Sequence, residues 1–218
     1  MKSIWGRRQV DNGKECLCMR LSEMKMKFSA ALVSVMFSIV IAIGTLTGGV
    51  VPARGEPFPT YGTGPIQVRI YTDYFCPPCR AMEPEIEPLL RKLIDRGIIT
   101  LTLVDTPFSK YSPLYARYFL YAQNRRDSFE HALTVRNTLF EAAANRHFTT
   151  KERIEGLFKS KGIPFTEFDP ARAFDRYNAL IKGDHVDATP SCVIMRSVRK
   201  EKFVGGPDII KALKGLQP

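Results

Sequence analysis

Two cysteines lie two residues apart where a strand-like run meets a helix-like run. Residues 66–72 are rich in β-branched and aromatic side chains and predict a strand, and residues 77–95 predict a helix. Cys76 therefore falls at or just before the helix N-terminus, where unpaired N–H groups and the helix dipole favour a thiolate. Cys79 lies one turn further along, within reach of a disulfide with Cys76. The spacing predicts thiol–disulfide exchange, in which Cys76 reacts and Cys79 resolves the mixed disulfide.

The same spacing also occurs in zinc sites and in inert structural disulfides. A structural zinc site needs four ligands. The sequence has no second closely spaced pair and only three scattered histidines, His131, His147 and His185. Redox chemistry is therefore favoured over metal binding and over an inert bridge. We expect no metal and no cofactor other than the Cys76–Cys79 disulfide itself.

Composition narrows the classes of protein further. Of the 218 residues, 44% are hydrophobic and 25% charged, without a low-complexity tract, so the chain can bury a substantial core. The net charge is +10, but the basic residues are not clustered between aromatic ones, which argues against a nucleic-acid partner. The five cysteines do not make an even-numbered framework of bridges, so the fold is expected to depend on its core.

Three segments precede the first predicted strand. Residues 1–27 are polar and without periodicity, and an over-extended gene start would explain them. Residues 28–53 are largely apolar and end in small residues, which favours a secretory signal peptide cut after Ala53. A retained membrane anchor is the alternative, because the apolar run is long enough to span a bilayer. Both interpretations export the rest of the chain, which begins with a linker rich in proline and glycine, residues 54–65.

The exported part divides into three predicted blocks. Residues 66–111 form a β–α–β unit with a second strand near residues 98–104, so its two strands should be parallel neighbours. Residues 112–184 carry apolar stripes at helical spacing and predict an all-helical block. Residues 185–218 predict an antiparallel strand pair followed by an amphipathic helix.

This order of elements resembles the thioredoxin fold, an α/β fold in which helices flank a central mixed sheet. The inserted all-helical subdomain resembles that of the DsbA-type periplasmic thiol oxidoreductases. The resemblance covers about residues 66–216. It rests on the cysteine pair at the helix start, on Pro84 within that helix, and on Thr189-Pro190 before the third strand of this core.

The resemblance implies further site residues. The Thr189–Pro190 bond is expected to be cis, with Thr189 and Pro190 facing Cys76 and the backbone of Thr189 binding a substrate chain. Tyr74 and Phe75 flank the reactive cysteine in sequence. They are expected to offer clients an apolar platform, although core packing is the alternative for both.

Two positions depart from the family pattern. Many members have a buried carboxylate six residues before the reactive cysteine, and here that position is Ile70. Asp73 and Asp105 are nearby in sequence but do not match it, which puts a carboxylate proton relay in doubt. Between the cysteines, Pro77 and Pro78 supply neither an imidazole nor a backbone N–H. Weaker stabilisation of the reduced form predicts a redox potential between those of thioredoxin and DsbA.

The sequence thus favours an exported thiol:disulfide oxidoreductase that introduces disulfides into proteins. An exported reductase or isomerase, for example one acting on apocytochrome thiols, is the alternative. A non-catalytic thioredoxin-like module is disfavoured by the intact cysteine pair. Expected partners are unfolded or thiol-containing client proteins and a membrane redox partner that recycles the pair. Cys192, two residues after Pro190, is expected to be a small buried apolar side chain.

Overall fold

The computed structural model describes residues 58–216 of the chain. Within this range the chain forms five strands and six helices. In chain order these are β1 (Thr60–Tyr61), β2 (Ile66–Thr72), α1 (Pro77–Asp95), β3 (Ile99–Asp105), α2 (Ser112–Arg125), α3 (Phe129–Asn145), α4 (Lys151–Ser160), α5 (Ala171–Gly183), β4 (Ser191–Arg196), β5 (Arg199–Val204) and α6 (Gly206–Lys214).

The five strands form one mixed sheet in the order β1-β3-β2-β4-β5. β2 and β3 are parallel neighbours joined by α1, as the β–α–β pattern predicts. β4 is antiparallel to both β2 and β5, so the predicted hairpin is confirmed. The central strand β2 ends at Thr72, only a short turn before Cys76. The cysteine pair therefore lies at the end of the sheet where the carboxyl ends of β2 and β3 meet.

Residues 58–65, the described part of the predicted linker, lie against β3. β1 pairs antiparallel with β3, and the N–H of Gly64 donates to the carbonyl of Ile99 at 3.1 Å. A Cβ on Gly64 would lie 2.2 Å from the backbone of Ile98 and Ile99, so glycine is needed for this close approach. This part of the segment belongs to the folded domain, because it completes the edge of the sheet.

Alternate strand residues face two apolar cores on opposite sides of the sheet, as the two-residue period of a strand requires. Ile70 and Leu103 belong to the larger core, which α1, α2, α3, α4 and α6 cover. Tyr71 and Val104 belong to a smaller core, to which α5 contributes Tyr177. Helices therefore flank the sheet on both faces, which confirms the predicted fold class.

The region predicted as helical, residues 112–184, contains α2 to α5 joined by loops. Asp184, directly after α5, fastens this block to the sheet. Its carboxylate accepts hydrogen bonds from Arg69 at 2.9 and 3.0 Å and from the hydroxyl of Tyr71, and it lies 2.7 Å from Nζ of Lys200. Burial alone would raise the pKa of Asp184, but the hydrogen bonds from Lys200, Tyr71 and Arg69 hold it below its ordinary value.

The predicted polar segment (1–27), the signal peptide or anchor (28–53) and the first residues of the linker (54–57) lie outside the described residues. Between residues 58 and 216, none of the helices has both the length and the apolar character needed to cross a bilayer.

Candidate active site

The sulfur of Cys76 caps the N-terminus of α1. Cys76 has an extended backbone (φ −85°, ψ 111°), and its Sγ accepts a hydrogen bond from the N–H of Cys79 at 3.4 Å. Pro77 and Pro78 occupy the first two helical positions and have no N–H, so Cys79 supplies the first donor of the helix. The sulfur therefore lies at the positive end of the helix dipole, which favours a negative charge there.

Cys79 lies behind Cys76 and is shielded from solvent. Its side chain is fully buried, whereas Cys76 is partly exposed, and both are free thiols in this structure. Burial raises the pKa of the Cys79 thiol, and the hydrogen bond with Cys76 adds to this effect. A backbone hydrogen bond from Asp73 and a side-chain hydrogen bond with Thr189 act in the opposite direction. Cys76 is thus the sulfur that another chain can reach, and Cys79 is the one that keeps its proton.

Thr189 and Pro190 lie against the cysteine pair. The peptide bond between them is cis, and the thiol of Cys76 donates to the carbonyl of Thr189, with Sγ and O 3.3 Å apart. The N–H of Gly205 holds the carbonyl of Pro190 at 2.9 Å. The structure therefore brings Cys76, Cys79, Thr189 and Pro190 together, although these predicted site residues come from opposite ends of the domain.

Tyr74 and Phe75 have different surroundings. Tyr74 is only 1% exposed, its ring packs 5.7 Å from that of Tyr115 and 5.0 Å from that of Phe140, and its hydroxyl donates to Asp105. Because core residues surround its ring, Tyr74 offers no surface to clients. The expectation that Tyr74 forms part of an apolar platform is therefore wrong, and the alternative of core packing holds for it. Phe75 is partly exposed and packs edge-on against Tyr115 at 4.9 Å, so it keeps an accessible apolar face beside Cys76.

Asp73 fixes the loop that leads into the cysteine pair. Its carboxylate accepts hydrogen bonds from the N–H groups of Phe75, Phe108 and Ser109 at 2.8 to 3.0 Å and from the hydroxyl of Ser112 at 2.7 Å. These bonds join the β2–α1 turn to the loop between β3 and α2. The sequence analysis assigned no role to Asp73, and the structure gives it a positioning role.

A buried ionic cluster lies between α1, α3 and the ends of β2 and β3. Arg136 of α3 donates to Glu83 of α1 at 2.5 Å and to the hydroxyl of Thr72 at 3.0 Å. Its Nη1 lies 3.6 Å from a carboxylate oxygen of Asp105, whose other oxygen accepts from Tyr74 at 3.3 Å. All five side chains are less than about one-tenth exposed. The cluster therefore ties the helical block to the strand ends that carry the active-site loop.

Burial and charge act against each other in this cluster. Burial raises the pKa of Asp105 to about 7, although Arg136 opposes the shift. For Arg136, burial alone would lower the pKa, but Glu83, Tyr74 and Asp105 outweigh it and raise the pKa above its ordinary value. Arg136 thus stays charged, and its neighbours depend on that charge to remain in the core.

The sequence analysis did not predict this cluster, although a signal for it exists. Arg136 falls on the apolar stripe of α3 that contains Leu133 and Phe140, and Glu83 lies between the buried Met82 and Ile86 of α1. A charged residue at a core position of each of two amphipathic helices is the pattern expected for a buried pair.

Cys192 and Ile70 face each other across β4 and β2 and are both fully buried. Burial raises the pKa of the Cys192 thiol, so it behaves as a small apolar side chain. Ile70 lies in the larger apolar core, so the side chain six residues before Cys76 is apolar and buried.

Two grooves lie beside the cysteine pair. The first, of about 370 Å³, is bordered by Phe75 and Pro77 and extends to the end of α3. The second, of about 460 Å³, lies between α1 and α6 and is lined by Pro78 and Met82 among others. Each groove thus includes a residue of the Pro77-Pro78 dipeptide that separates the two cysteines.

The fold is similar to several solved structures. A crystal structure of a periplasmic thioredoxin-like protein from Salmonella enterica serovar Typhimurium is 22% identical and covers 75% of this chain and 92% of its own, with a TM-score of 0.54. The catalytic domain of Proteus mirabilis ScsC is 18% identical over 75% and 91% of the two chains, with a TM-score of 0.55. A variant of Wolbachia pipientis alpha-DsbA1 is 14% identical over 76% and 94%, with a TM-score of 0.56. At these identities the similarity establishes the thioredoxin fold.

A family model provides the remaining comparison. No curated protein matches the sequence. The model for thioredoxin matches residues 63–202, which covers more than half of the chain and includes both cysteines of the pair and the Thr189–Pro190 bond. The chain therefore belongs to the thioredoxin family.

Proposed function

We propose that this protein is an exported thiol:disulfide oxidoreductase that donates the Cys76–Cys79 disulfide to client proteins. One observation carries the proposal: the partly exposed sulfur of Cys76 caps α1, with Cys79 buried directly behind it. In this position the sulfur accepts the N–H of Cys79 and lies at the positive end of the helix dipole, an arrangement that stabilises the reduced pair. Stabilising the reduced form makes the disulfide form a better oxidant.

The exchange proceeds in two steps that balance without another reagent. A client thiolate attacks Sγ of Cys76, the Cys76–Cys79 bond breaks, and Cys79 leaves and takes up a proton because burial raises the pKa of its thiol. A second client thiolate then attacks the client sulfur of the mixed disulfide and releases Cys76. The client loses two electrons and two protons, and the cysteine pair gains them.

The surroundings of the pair fit an extended client chain. The backbone of Thr189 lies beside Cys76, Phe75 offers an apolar face, and two grooves of about 370 and 460 Å³ flank the helix start. The pair itself is the redox group, so the reaction requires no metal or additional cofactor. A membrane redox partner would reoxidise the pair after each cycle. Export is supported by the apolar segment at residues 28–53 and by the periplasmic origin of one solved relative.

The direct test is to mix the oxidised protein with a reduced peptide that contains two cysteines. We expect the peptide to lose two thiols for each protein molecule that becomes reduced, with both products measured by mass spectrometry after alkylation. If the peptide keeps both thiols while the protein keeps its disulfide, the proposed function is wrong. If oxidised peptides are instead reduced preferentially by the dithiol protein, the reductase alternative is favoured.

A further inference from the structure

The groove of about 370 Å³ beside Cys76 has basic walls, and we call it the basic groove. It is defined by six of its lining residues: Phe75, Pro77, Arg80, Tyr111, Ala143 and Arg146. Phe75 and Tyr111 form its apolar floor, with ring centroids 6.0 Å apart. Since Phe75 and Pro77 are the immediate neighbours of Cys76, a chain bonded to Cys76 enters this groove within a residue or two.

The charges in the basic groove have no counterions from the fold. Arg80 and Arg146 are both exposed, and neither makes an ion pair with any residue in the range 58–216. None of the lining residues carries a carboxylate. By contrast, the exposed Arg91 pairs with Glu130 on the same two helices. The groove thus presents positive charge that the described part of the protein does not neutralise.

Arg80 lies where a cation does not help the helix. It is in the first turn of α1, which contains no acidic residue, and the positive end of the helix dipole disfavours a positive side chain there. A neutral or acidic residue would suit the helix better. The helix therefore gains no stability from the charge of Arg80.

Arg146, at the end of α3, lines the basic groove together with Arg80. Its backbone adopts the left-handed conformation (φ 52°) that ends the helix, and its N–H donates to the carbonyl of Ala143 at 3.3 Å. Lys110 adds a third cation near the floor, with Nζ 5.2 Å from the ring centroid of Tyr111. The carboxylate of Asp73 accepts the N–H of Ser109, another residue that lines the groove. Because it already has four hydrogen-bond donors inside the protein, it does not serve as the counterion of these cations.

We propose that the basic groove binds an acidic side chain of the client close to its reacting cysteine, between Arg80 and Arg146. The protein therefore favours client cysteines that have an aspartate or glutamate next to them. This inference rests on the proposed function, because the client reaches the groove through its bond to Cys76. Charge complementarity selects the occupant, and the apolar floor accommodates the aliphatic part of its chain.

The test uses three reduced peptides that differ only in the residue beside the reacting cysteine, which is Glu, Gln or Lys. Each rate of oxidation by the oxidised protein is divided by the rate of the same peptide with the uncharged reagent hydroxyethyl disulfide, which removes the effect of that residue on the peptide's own thiol without adding a charge effect of the reagent. We expect the Glu peptide to exceed the Gln peptide by roughly fivefold at low ionic strength, as two exposed ion pairs would produce. The Lys peptide should be the slowest, and at about 1 M salt the ratios should approach one.

Two substitutions locate the effect in the groove. Arg80→Gln keeps a good helix former, and Arg146→Asn keeps a residue that tolerates the left-handed conformation. The double variant should reduce the Glu-to-Gln ratio to near one. Arg96→Gln makes the same charge change as Arg80→Gln at the residue that follows α1, about 24 Å from Arg80, and should keep the wild-type ratio. Circular dichroism before and after heating checks that each variant is folded.

The outcomes separate this inference from the proposed function. If none of the three peptides is oxidised, the proposed function fails. If the Gln peptide is oxidised and the Glu peptide is no faster, the function stands and the acidic preference is wrong. The inference is also wrong if the double variant keeps the wild-type ratio, or if Arg96→Gln lowers that ratio as much as the double variant does.

Discussion

A Cys79→Ser variant is expected to accumulate a mixed disulfide between Cys76 and a client. In a Cys76→Ser variant the rate of thiol–disulfide exchange should fall by about a hundredfold or more. The reason is the unequal exposure of the two sulfurs, since Cys76 is partly exposed and Cys79 is fully buried. Without Cys79, the sulfur of Cys76 has no internal partner to displace the client. Non-reducing electrophoresis and intact mass spectrometry after mixing with a disulfide-bonded client measure the trapped species.

Cys192→Ala is the matched control for these substitutions. It removes the third thiol of the domain from a fully buried position opposite Ile70, so exchange should stay close to the wild-type rate. The assignment of roles would be contradicted if Cys76→Ser trapped clients through Cys79, or if Cys192→Ala abolished exchange.

Arg136→Met is expected to destabilise the domain by about 3–5 kcal/mol, because it leaves Glu83 in the core without its ion-pair partner. The side chains of Arg136 and Glu83 are 1% and 5% exposed, so solvent cannot replace the lost hydrogen bonds. Thr72 loses a hydrogen bond at the end of β2 as well, which should loosen the loop that carries Cys76. Denaturant unfolding followed by circular dichroism measures the change in the free energy of unfolding.

Two further variants control this experiment. Arg91→Met removes one partner of an exposed pair with Glu130 and should cost less than about 1 kcal/mol. The double variant Glu83→Met with Arg136→Met should recover the part of the lost stability that comes from the unpaired Glu83, since an apolar pair of similar volume often replaces a buried ion pair. The part that comes from Asp105 should remain lost, because Asp105 stays buried without Arg136. A loss below about 1 kcal/mol for Arg136→Met alone would show that the cluster does not hold the helical block in place.

Local sequence signals predict the features that depend on short stretches of chain. The Cys76–Cys79 pair, the strand before it and the helix after it are contiguous, so spacing and periodicity identify them together. The parallel pairing of β2 with β3 follows because one helix connects them. Thr189 and Pro190 are far from the pair in sequence, and only the resemblance to a family suggests that they meet Cys76.

Features that depend on long-range packing are less accessible from the sequence. The ring of Tyr74 lies in the core, where its hydroxyl donates a hydrogen bond to Asp105 on the neighbouring strand. No local sequence pattern reveals that contact. Glu83 and Arg136 are 53 residues apart, and charged residues on helices usually face solvent. Strand β1 has only two residues, so its pairing with β3 depends on tertiary contacts rather than on strand propensity.

The most direct test of the central claim is the equilibrium redox potential of the Cys76–Cys79 pair, measured by titration of the purified protein against glutathione. The N–H of Cys79 is the single helix donor that caps Cys76, because Pro77 and Pro78 have none. We therefore expect a potential above about −200 mV but below the value of about −120 mV for DsbA. A potential near or below about −270 mV, the value for thioredoxin, would contradict disulfide donation and favour a reductase.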